Sequence, residues 1–292
     1  MKGIILAGGT GSRLYPLTKI SSKQLQAVYD KPMIYYPLTS LIAAGIREIC
    51  LITTSSDESS FKKLLGDGSH FGLNIKYKIQ SEPKGIAHAI LLAEDFIDNE
   101  NFALILGDNI FSGGSDIPMT IDSFQEGALV FAYHVPDPER YAVIEFDKDM
   151  SVLSLKEKPI KPKSNYAIPG FYLYDSKSIE FAKELKPSFR GELEITDLNI
   201  KYLKKGLLKV HRLSRGYAWL DSGTSNSLHD ASTYIASIEK RQGMKIGCPE
   251  EASYIRGFIN LDEFKTLVSK MPICDYKNYL SMIIEGYQTG IL

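Results

Sequence analysis

Short apolar runs alternate with stretches of helical spacing over the first third of the chain. Four runs rich in isoleucine and leucine have strand length: 3–7, 49–53, 75–79 and 102–106. Between them, 33–44 and 86–96 repeat apolar side chains at the spacing of an amphipathic helix. Near-continuous apolar strands are typical of a sheet that is covered on both faces. The alternation therefore predicts a doubly wound α/β arrangement.

The pattern changes twice further along the chain. Strand-like runs follow one another at 128–133, 141–146, 152–155 and 170–174. Helical spacing returns at 227–241, 261–271 and 276–284, and Asn260 is an N-cap candidate for the second of these helices. We expect an α/β fold with a Rossmann-like mixed, mostly parallel central sheet flanked by helices. Residues 1–240 would form this domain, and 241–292 a helical C-terminal extension of the same compact unit.

Composition removes several classes of function. The 292 residues carry a formal net charge of −1, so no bulk positive field exists to hold nucleic acid or an anionic membrane. The three cysteines are widely spaced and form no CxxC pair, which argues against a disulfide framework or a structural zinc. No stretch approaches the roughly 20 apolar residues of a membrane span, and the run after Met1 is too short for a signal peptide. We expect a cytoplasmic protein.

A glycine-rich turn directly follows the first predicted strand. Such a turn between a strand and a helix lets backbone N–H groups converge on an anion. The dinucleotide fingerprint fails because Leu14 stands where a glycine is needed, and the P-loop GK[ST] is missing. A purely structural turn is the alternative. Arg13 and Lys23 favour phosphate binding, because a planar guanidinium and a compact ammonium both suit phosphate oxygens. Residues 1–31 contain five basic residues and one acidic residue, an excess for which a solvated surface is the alternative.

Two aspartates follow apolar runs at predicted strand ends. Asp108 stands in LGDN and Asp221 in WLDSGT. Open α/β sheets bind ligands at the carboxyl ends of their strands. Mg²⁺ is usually held by one or two carboxylates together with substrate phosphates. Either aspartate alone is as readily a turn or capping residue.

Longer stretches resemble a known family. Residues 6–14 (LAGGTGSRL), 16–18 (PLT), 23–25 (KQL) and 29–38 (YDKPMIYYPL) are similar to the signature of the sugar-nucleotidyltransferases, and in particular to the thymidylyltransferase branch. The resemblance implies Mg²⁺-dependent attack of α-D-glucose 1-phosphate on dTTP, which gives dTDP-glucose for deoxysugar biosynthesis and pyrophosphate. It also implies a nucleotide-binding part at 1–110, a sugar-phosphate-binding part at 111–225, and a homotetramer with a possible second, allosteric nucleotide-sugar site.

The resemblance assigns a role to each candidate site residue. The nucleotide-binding set is Leu6, Gly8, Gly9, Thr10, Gly11, Gln24, Gln80 and Gly85. The sugar-binding set is Asn109, Tyr141, Ala142, Glu157, Tyr172 and Glu192. The catalytic set is Arg13, Lys23 and Lys158, and the metal ligands are Asp108 and Asp221.

Two departures from the family pattern concern specificity. His88 stands where relatives usually have glutamine, and Ala142 stands where a sugar-contacting glycine is usual. A different hexose 1-phosphate, or UTP in place of dTTP, is therefore an open alternative. A nicotinamide-dependent dehydrogenase and a non-catalytic nucleotide-sugar sensor are the remote alternatives.

Overall fold

Four parallel strands form the half of the central sheet that the beginning of the chain supplies. The computed structural model describes residues 1–9 and 11–290. The elements of this part are β1 (Lys2–Ala7), β2 (Ala27–Val28), β3 (Lys31–Pro32), α1 (Tyr35–Ala43), β4 (Glu48–Thr53), α2 (Glu58–Leu65), β5 (Asn74–Ile79), α3 (Ile86–Leu92), α4 (Glu94–Ile97) and β6 (Phe102–Leu106). β1 lies between β4 and β6 and pairs in parallel with both, and β4 pairs in parallel with β5. The four predicted strands are confirmed.

The sheet is covered on both faces, as the apolar runs predicted. Ile4 and Ile5 are neighbours in β1 and both are fully buried, but they belong to different apolar clusters. Successive side chains of a strand point to opposite faces, so each face has its own core. The predicted helix at 33–44 is confirmed as α1. The one predicted at 86–96 is divided at Ala93 into α3 and α4.

The middle of the chain adds strands that are mostly antiparallel. Its elements are β7 (Asn109–Ser112), α5 (Asp116–Ser123), β8 (Ala128–His134), β9 (Ala142–Phe146), β10 (Val152–Glu157), β11 (Tyr166–Ala167), β12 (Phe171–Tyr174), α6 (Lys177–Lys183), α7 (Ile195–Lys204), β13 (Leu208–Arg212) and β14 (Ala218–Asp221). β12 pairs antiparallel with β6 and β8, and β9 with β10 and β11. The parallel exception is β13 against β8.

The ten-stranded mixed sheet confirms the α/β class, but its antiparallel share is larger than expected. The reason is the length of the connections. A parallel pair needs a crossover of about a dozen residues or more, usually a helix. The link from β9 to β10 is too short for that, so β10 returns antiparallel to β9, and β11 then lies between β9 and β8 and pairs antiparallel with both.

A separate two-stranded ribbon brings distant residues together at the sheet edge. β7 pairs antiparallel with β14, and the register sets Asp221 opposite Asn109. Asp108 is the residue directly before β7, so both predicted metal ligands lie at one end of this ribbon.

The last part of the chain is helical. It consists of α8 (Ser225–Gln242), α9 (Pro249–Ile255), α10 (Leu261–Ser269) and α11 (Asp275–Thr289). Asn260 is confirmed as an N-cap, because its side chain accepts from the Glu263 N–H at 2.9 Å. These helices enclose an apolar cluster of their own around Phe264 and Leu280. No helix within residues 1–9 and 11–290 combines the length and apolarity that crossing a membrane requires.

A buried ion network joins α8 to the β2–β3 turn. Lys31 Nζ lies 2.5 Å from Asp30 Oδ1 and 2.9 Å from Glu239 Oε1, and only 2% of the lysine side chain is exposed. Lys245 contacts the same two carboxylates from the start of the extension. Removing one partner of a buried ion pair leaves an uncompensated charge. The intact network therefore helps to hold the β2–β3 turn, α8 and the start of the C-terminal extension together.

Lys31→Ala is expected to lower the free energy of unfolding by about 3 kcal/mol, because the buried Glu239 and its neighbour Asp30 must then share Lys245. Lys183→Ala is the matched control. It removes an exposed pair with Glu94 at 2.5 Å and should cost no more than about 1 kcal/mol. Urea denaturation followed by circular dichroism measures both. Equal losses of unfolding free energy in the two variants would contradict a stabilising role for the ion network around Lys31.

Candidate active site

A cleft of about 320 Å³ opens at the carboxyl ends of β1 and β6. Most of the predicted site residues line it: Leu6, Gly8, Gly9, Arg13, Gln80, Gly85, Asp108, Asn109, Tyr141, Ala142, Glu157, Lys158, Tyr172, Glu192 and Asp221. Lys23, Gln24 and Gly11 lie next to this set but are not part of the wall. Thr10 lies outside the described residues.

The glycine loop differs from the predicted strand–turn–helix unit. Short 3₁₀ turns at Ser12–Leu14, Leu17–Lys19 and Lys23–Leu25 follow it, and the first α-helix begins only at Tyr35. Gly11 has φ +59°, and Thr18 Oγ1 donates to its carbonyl oxygen at 3.0 Å. Any anion here would therefore be bound by loop N–H groups and by Arg13, without the dipole of a following α-helix.

Lys23 and Gln24 lie beneath this loop. Lys23 Nζ forms an ion pair with Asp108 Oδ2, and 7% of the lysine side chain is exposed. The Gln24 carbonyl side-chain oxygen accepts from Ser22 Oγ at 2.6 Å, and Gln24 is 4% exposed. Lys23 therefore reaches the site through Asp108, whereas Gln24 supports the loop from inside.

The two aspartates differ in their affinity for a proton. Burial raises the pKa of the Asp108 carboxyl, but the charge and hydrogen bond of Lys23 outweigh it, so the net pKa is lowered. Burial and the neighbouring charge of Asp108 raise the pKa of Asp221, and Lys23, Arg13 and Arg140 offset this only in part. Asp108 is therefore the firmly ionised member of the pair. Asp221 is a carboxylate whose charge is incompletely balanced.

Asn109 fixes the position of Asp108. Its Nδ2 donates to Asp108 Oδ1 at 2.9 Å. Its Oδ1 accepts from the Gly170 N–H at 2.9 Å and from Trp219 Nε1 at 2.6 Å. These bonds use Oδ1 and one hydrogen of Nδ2, so Asn109 positions its neighbours, and the sugar-binding role predicted for it stays a prediction. Trp219, the one tryptophan of the chain, is not among the predicted site residues.

Glu157 and Arg190 dominate the other wall of the cleft. Glu157 Oε2 accepts from Thr196 Oγ1 at 2.6 Å, and the register of β9 and β10 sets Glu157 opposite Ala142. Arg190 Nη2 lies 2.8 Å from Glu194 Oε2, 3.6 Å from Glu192 Oε2 and 3.7 Å from Glu157 Oε1. One guanidinium thus holds three carboxylates of a surface that suits the hydroxyl groups of a sugar.

Lys158, Tyr141 and Tyr172 complete the predicted sugar side. Lys158 has φ +40°, its N–H donates to the Tyr141 carbonyl at 3.0 Å, and half of its side chain is exposed. The Tyr141 and Trp219 ring centroids are 4.9 Å apart. Tyr172 is 4% exposed, and its pKa is raised by burial and by the charges of Glu157 and Asp108. The Lys158 ammonium is thus open to solvent at the mouth of the cleft.

Sequence reasoning missed two arginines of the cleft wall. Arg140 Nη2 lies 3.5 Å from Asp221 Oδ2, and Arg190 holds the acidic wall. Arg140 stands in RYAV, where Ala142 departs from the family pattern, and Arg190 stands in RGELEITD, which resembles a family motif. The available signal was a basic residue one or two positions before a predicted sugar-binding residue.

On the base side, Gln80 closes the cleft next to Gly85. Gln80 Nε2 donates to the Gly85 carbonyl oxygen at 3.2 Å, and the Gln80 N–H donates to the Thr53 carbonyl oxygen at 2.8 Å. Gly85 has φ +97° and ψ 170°, and an added Cβ would lie 2.4 Å from the Leu193 carbonyl oxygen. Only glycine fits this position.

This cleft joins a glycine loop, an acid pair and convergent cations at the edge of an α/β sheet, an arrangement that serves phosphoryl chemistry. Residues 2–238 match the Nucleotidyl transferase family model, and the chain belongs to that family. A glucose-1-phosphate thymidylyltransferase from Neisseria meningitidis serogroup A is 50% identical over 287 residues, which cover 98% of this chain and 100% of the relative.

Solved structures share the fold. A Bacillus anthracis protein crystallised with sucrose is 46% identical and superposes with a TM-score of 0.75, covering 80% of this chain and 94% of that one. A UDP-glucose pyrophosphorylase bound to UDP-glucose is 26% identical, with a TM-score of 0.73 and coverage of 82% and 99%.

Gly85→Ala is expected to destabilise the protein by at least about 2 kcal/mol, because the new Cβ meets backbone atoms that have no rotamer to change. Gly191→Ala is the control on the same rim. Its φ is +76°, but no atom lies within 4 Å of an added Cβ, so only the left-handed backbone cost of about 1 kcal/mol applies. Thermal unfolding of both variants measures the difference. A Gly85→Ala protein as stable as Gly191→Ala would contradict the close contact.

Proposed function

We propose that this protein transfers a thymidylyl group from dTTP to α-D-glucose 1-phosphate and releases pyrophosphate. The proposal rests on one observation: Arg13, Asp108 and Asp221 meet at the sheet edge of a chain that is half identical to thymidylyltransferases along nearly its whole length. A phosphate oxygen of the sugar attacks the α-phosphorus, and the bond from that phosphorus to the pyrophosphate oxygen breaks. The electron pair leaves with pyrophosphate.

The nucleophile needs no general base. The second pKa of a phosphate monoester is about 6, so the sugar phosphate is already a dianion at neutral pH. The obstacle is repulsion between two polyanions, since two unit charges 4 Å apart repel by about 4 kcal/mol at an effective dielectric of 20. Preorganised cations that meet the reacting phosphates lower this barrier.

Arg13, Lys23 and Lys158 supply those cations. Arg13 binds the triphosphate and the leaving pyrophosphate, because it lines the cleft next to Gly8 and Gly9. Lys158 holds the sugar phosphate with an ammonium that solvent can reach. Lys23 acts on the reacting phosphates from its place beside Asp108. All three cations lie at the cleft, so phosphate binding does not require the whole chain to be positively charged. Its net charge is −1.

The acid pair suits Mg²⁺. Asp108 and Asp221 offer hard carboxylate oxygens, and the raised pKa of Asp221, which burial and the charge of Asp108 cause, marks a negative charge that a divalent cation would balance. Among the residues that the structure describes, no group of three histidine, cysteine, aspartate or glutamate side chains is placed to hold a metal ion, so substrate phosphates would complete the coordination. When bound, Mg²⁺ would neutralise charge on the phosphates.

Assembly and compartment follow the family pattern in this proposal. We expect a homotetramer with a second nucleotide-sugar site, acting in the cytoplasm where dTTP is made available. Sedimentation velocity of the purified protein tests the tetramer, and a monomer at micromolar concentration would exclude it.

The decisive activity test is a matrix of dTTP, UTP, CTP and ATP against glucose, galactose and mannose 1-phosphates with Mg²⁺, scored by pyrophosphate release. The highest kcat/KM is expected for dTTP with glucose 1-phosphate. UTP is the expected second nucleotide, because thymine and uracil differ only by a methyl group. Ala142→Gly is the matched sugar-side variant and should widen the range of hexoses, since it removes a methyl opposite Glu157. Pyrophosphate release with no pair of substrates would refute the proposal.

Asp108→Asn and Asp221→Asn should each lower turnover by at least about 100-fold, a typical effect of losing one transition-state electrostatic contact. Each variant should also weaken Mg²⁺ binding in calorimetry with a non-hydrolysable dTTP analogue. Asp122→Asn, an exposed aspartate on α5, is the control and should retain both properties. Near-normal turnover of the two site variants would rule out the metal assignment.

A further inference from the structure

The side-chain amide of Gln80 has a defined orientation in the cleft. Its Nε2 lies 3.2 Å from the Gly85 carbonyl oxygen and 3.1 Å from His88 Nδ1. A carbonyl oxygen can only accept, so the nitrogen of the amide must face Gly85. The second amide proton then points to His88 Nδ1, which must be an unprotonated acceptor.

This arrangement leaves the amide oxygen for the cleft. Oε1 faces the glycine loop, 3.5 Å from the point where a Cβ on Gly8 would stand. Among residues 1–9 and 11–290, none donates a hydrogen bond to this oxygen. Gln80 itself is 5% exposed and lines the cleft wall, so its Oε1 is a pure acceptor at the place where a base would enter.

We propose that His88 is a specificity-determining positioning residue: its Nδ1 locks the Gln80 amide so that Oε1 selects a base with an N3–H donor. This inference rests on the proposed function, because it concerns how that site recognises the base of dTTP. Thymine and uracil carry a hydrogen at N3, whereas N3 of cytosine is an acceptor and would face Oε1 without a hydrogen bond. An unpaired polar group in a buried site is strongly disfavoured.

The lock requires neutral His88. Burial lowers the pKa of its imidazole, the positive charge of Lys84 lowers it further, and Glu82 opposes them, with a net lowering. Lys84 and Glu82 are the charged groups that face His88 in the described part of the chain; both lie on the loop before α3 and form a pair at 2.9 Å. The helices packed against α3, which are α4, α6 and α7, bring no further charge to the ring.

Protonation would release the lock. With a hydrogen on Nδ1, the imidazolium would point a donor at the amide N–H₂ group. The Gln80 side-chain amide would then flip. It would lose its hydrogen bond to the Gly85 carbonyl oxygen and point its N–H₂ group at the base. That face suits the N3 acceptor of cytosine and opposes thymine.

The test is the ratio of kcat/KM for dTTP to kcat/KM for CTP, measured from pH 8 to pH 5. Ionisation of the triphosphate and of the sugar phosphate is common to both reactions and cancels in this ratio. For the wild-type enzyme the ratio should fall by at least about tenfold as the pH drops below 6.5, the loss expected for one mismatched hydrogen bond.

Three variants of His88 distinguish its role as a hydrogen-bond acceptor from the effect of its side-chain size. His88→Asn and His88→Gln carry an oxygen that accepts but does not titrate, and they should keep a high ratio that no longer depends on pH. His88→Leu removes the acceptor and should lower the ratio at every pH, mainly through KM for dTTP and with kcat retained. His70→Asn is the control: burial also lowers the pKa of His70, but this residue stands in a 3₁₀ turn at Ser69–Phe71 and does not line the cleft. It should reproduce the wild-type profile.

The outcomes are distinct. A wild-type ratio that does not change with pH, or a His88→Leu enzyme with the wild-type ratio, overturns the role of His88 and leaves the proposed function standing. The wild-type profile needs no variant, so a substitution that fails to fold does not decide the question. A wild-type enzyme with no preference for dTTP at pH 8 overturns the proposed function, and with it this inference.

Discussion

The repulsion between two half-buried carboxylates is the constraint on which the site depends. Asp108 and Asp221 come from distant parts of the chain and meet because β7 and β14 pair in a fixed register. Lys23 balances Asp108 directly, and Arg13 and Arg140 balance Asp221 only in part. Because the charge of Asp221 is incompletely balanced, the site can accept a divalent cation. That cation and the basic side chains can then hold two phosphates. It can also release polyanionic products, because the chain as a whole has no excess of positive charge to retain them.

The backbone of the sheet holds these charged side chains in place. The parallel strands β1 and β6 end at the cleft, and their side chains are anchored in separate cores on the two faces of the sheet. Asn109 connects the carboxylate of Asp108 to the backbone of Gly170 and to Trp219. Gly85 closes against Leu193, so the base side has a defined width. Reacting groups held in this way need little reorganisation at the moment of reaction.

Local patterns in the sequence were enough for the parallel strands, for α1 and for the cap at Asn260, since each depends on neighbours within a few residues. The antiparallel half depends on the length of connections, which apolar runs alone do not reveal. The family resemblance identified most of the cleft-lining residues. The two aspartates could also be placed there because LGDN and WLDSGT stand at strand ends. The roles of these residues stay predictions. The contacts of Arg140 and Arg190 and the Asn109–Trp219 hydrogen bond join distant segments, so the local sequence showed only that each arginine stands close to a predicted site residue. His88 was visible as a departure from the family, but its contact with Gln80 required the structure.

A crystal structure of the enzyme with dTDP-glucose and Mg²⁺ would show whether the cleft binds its product in this way. We expect the thymine N3–H on Gln80 Oε1, the diphosphate between Arg13 and Lys158, the glucose against Glu157 and Glu192, and one metal ion on Asp108 and Asp221. Product bound elsewhere, or bound in this cleft with neither aspartate near the metal, would contradict it.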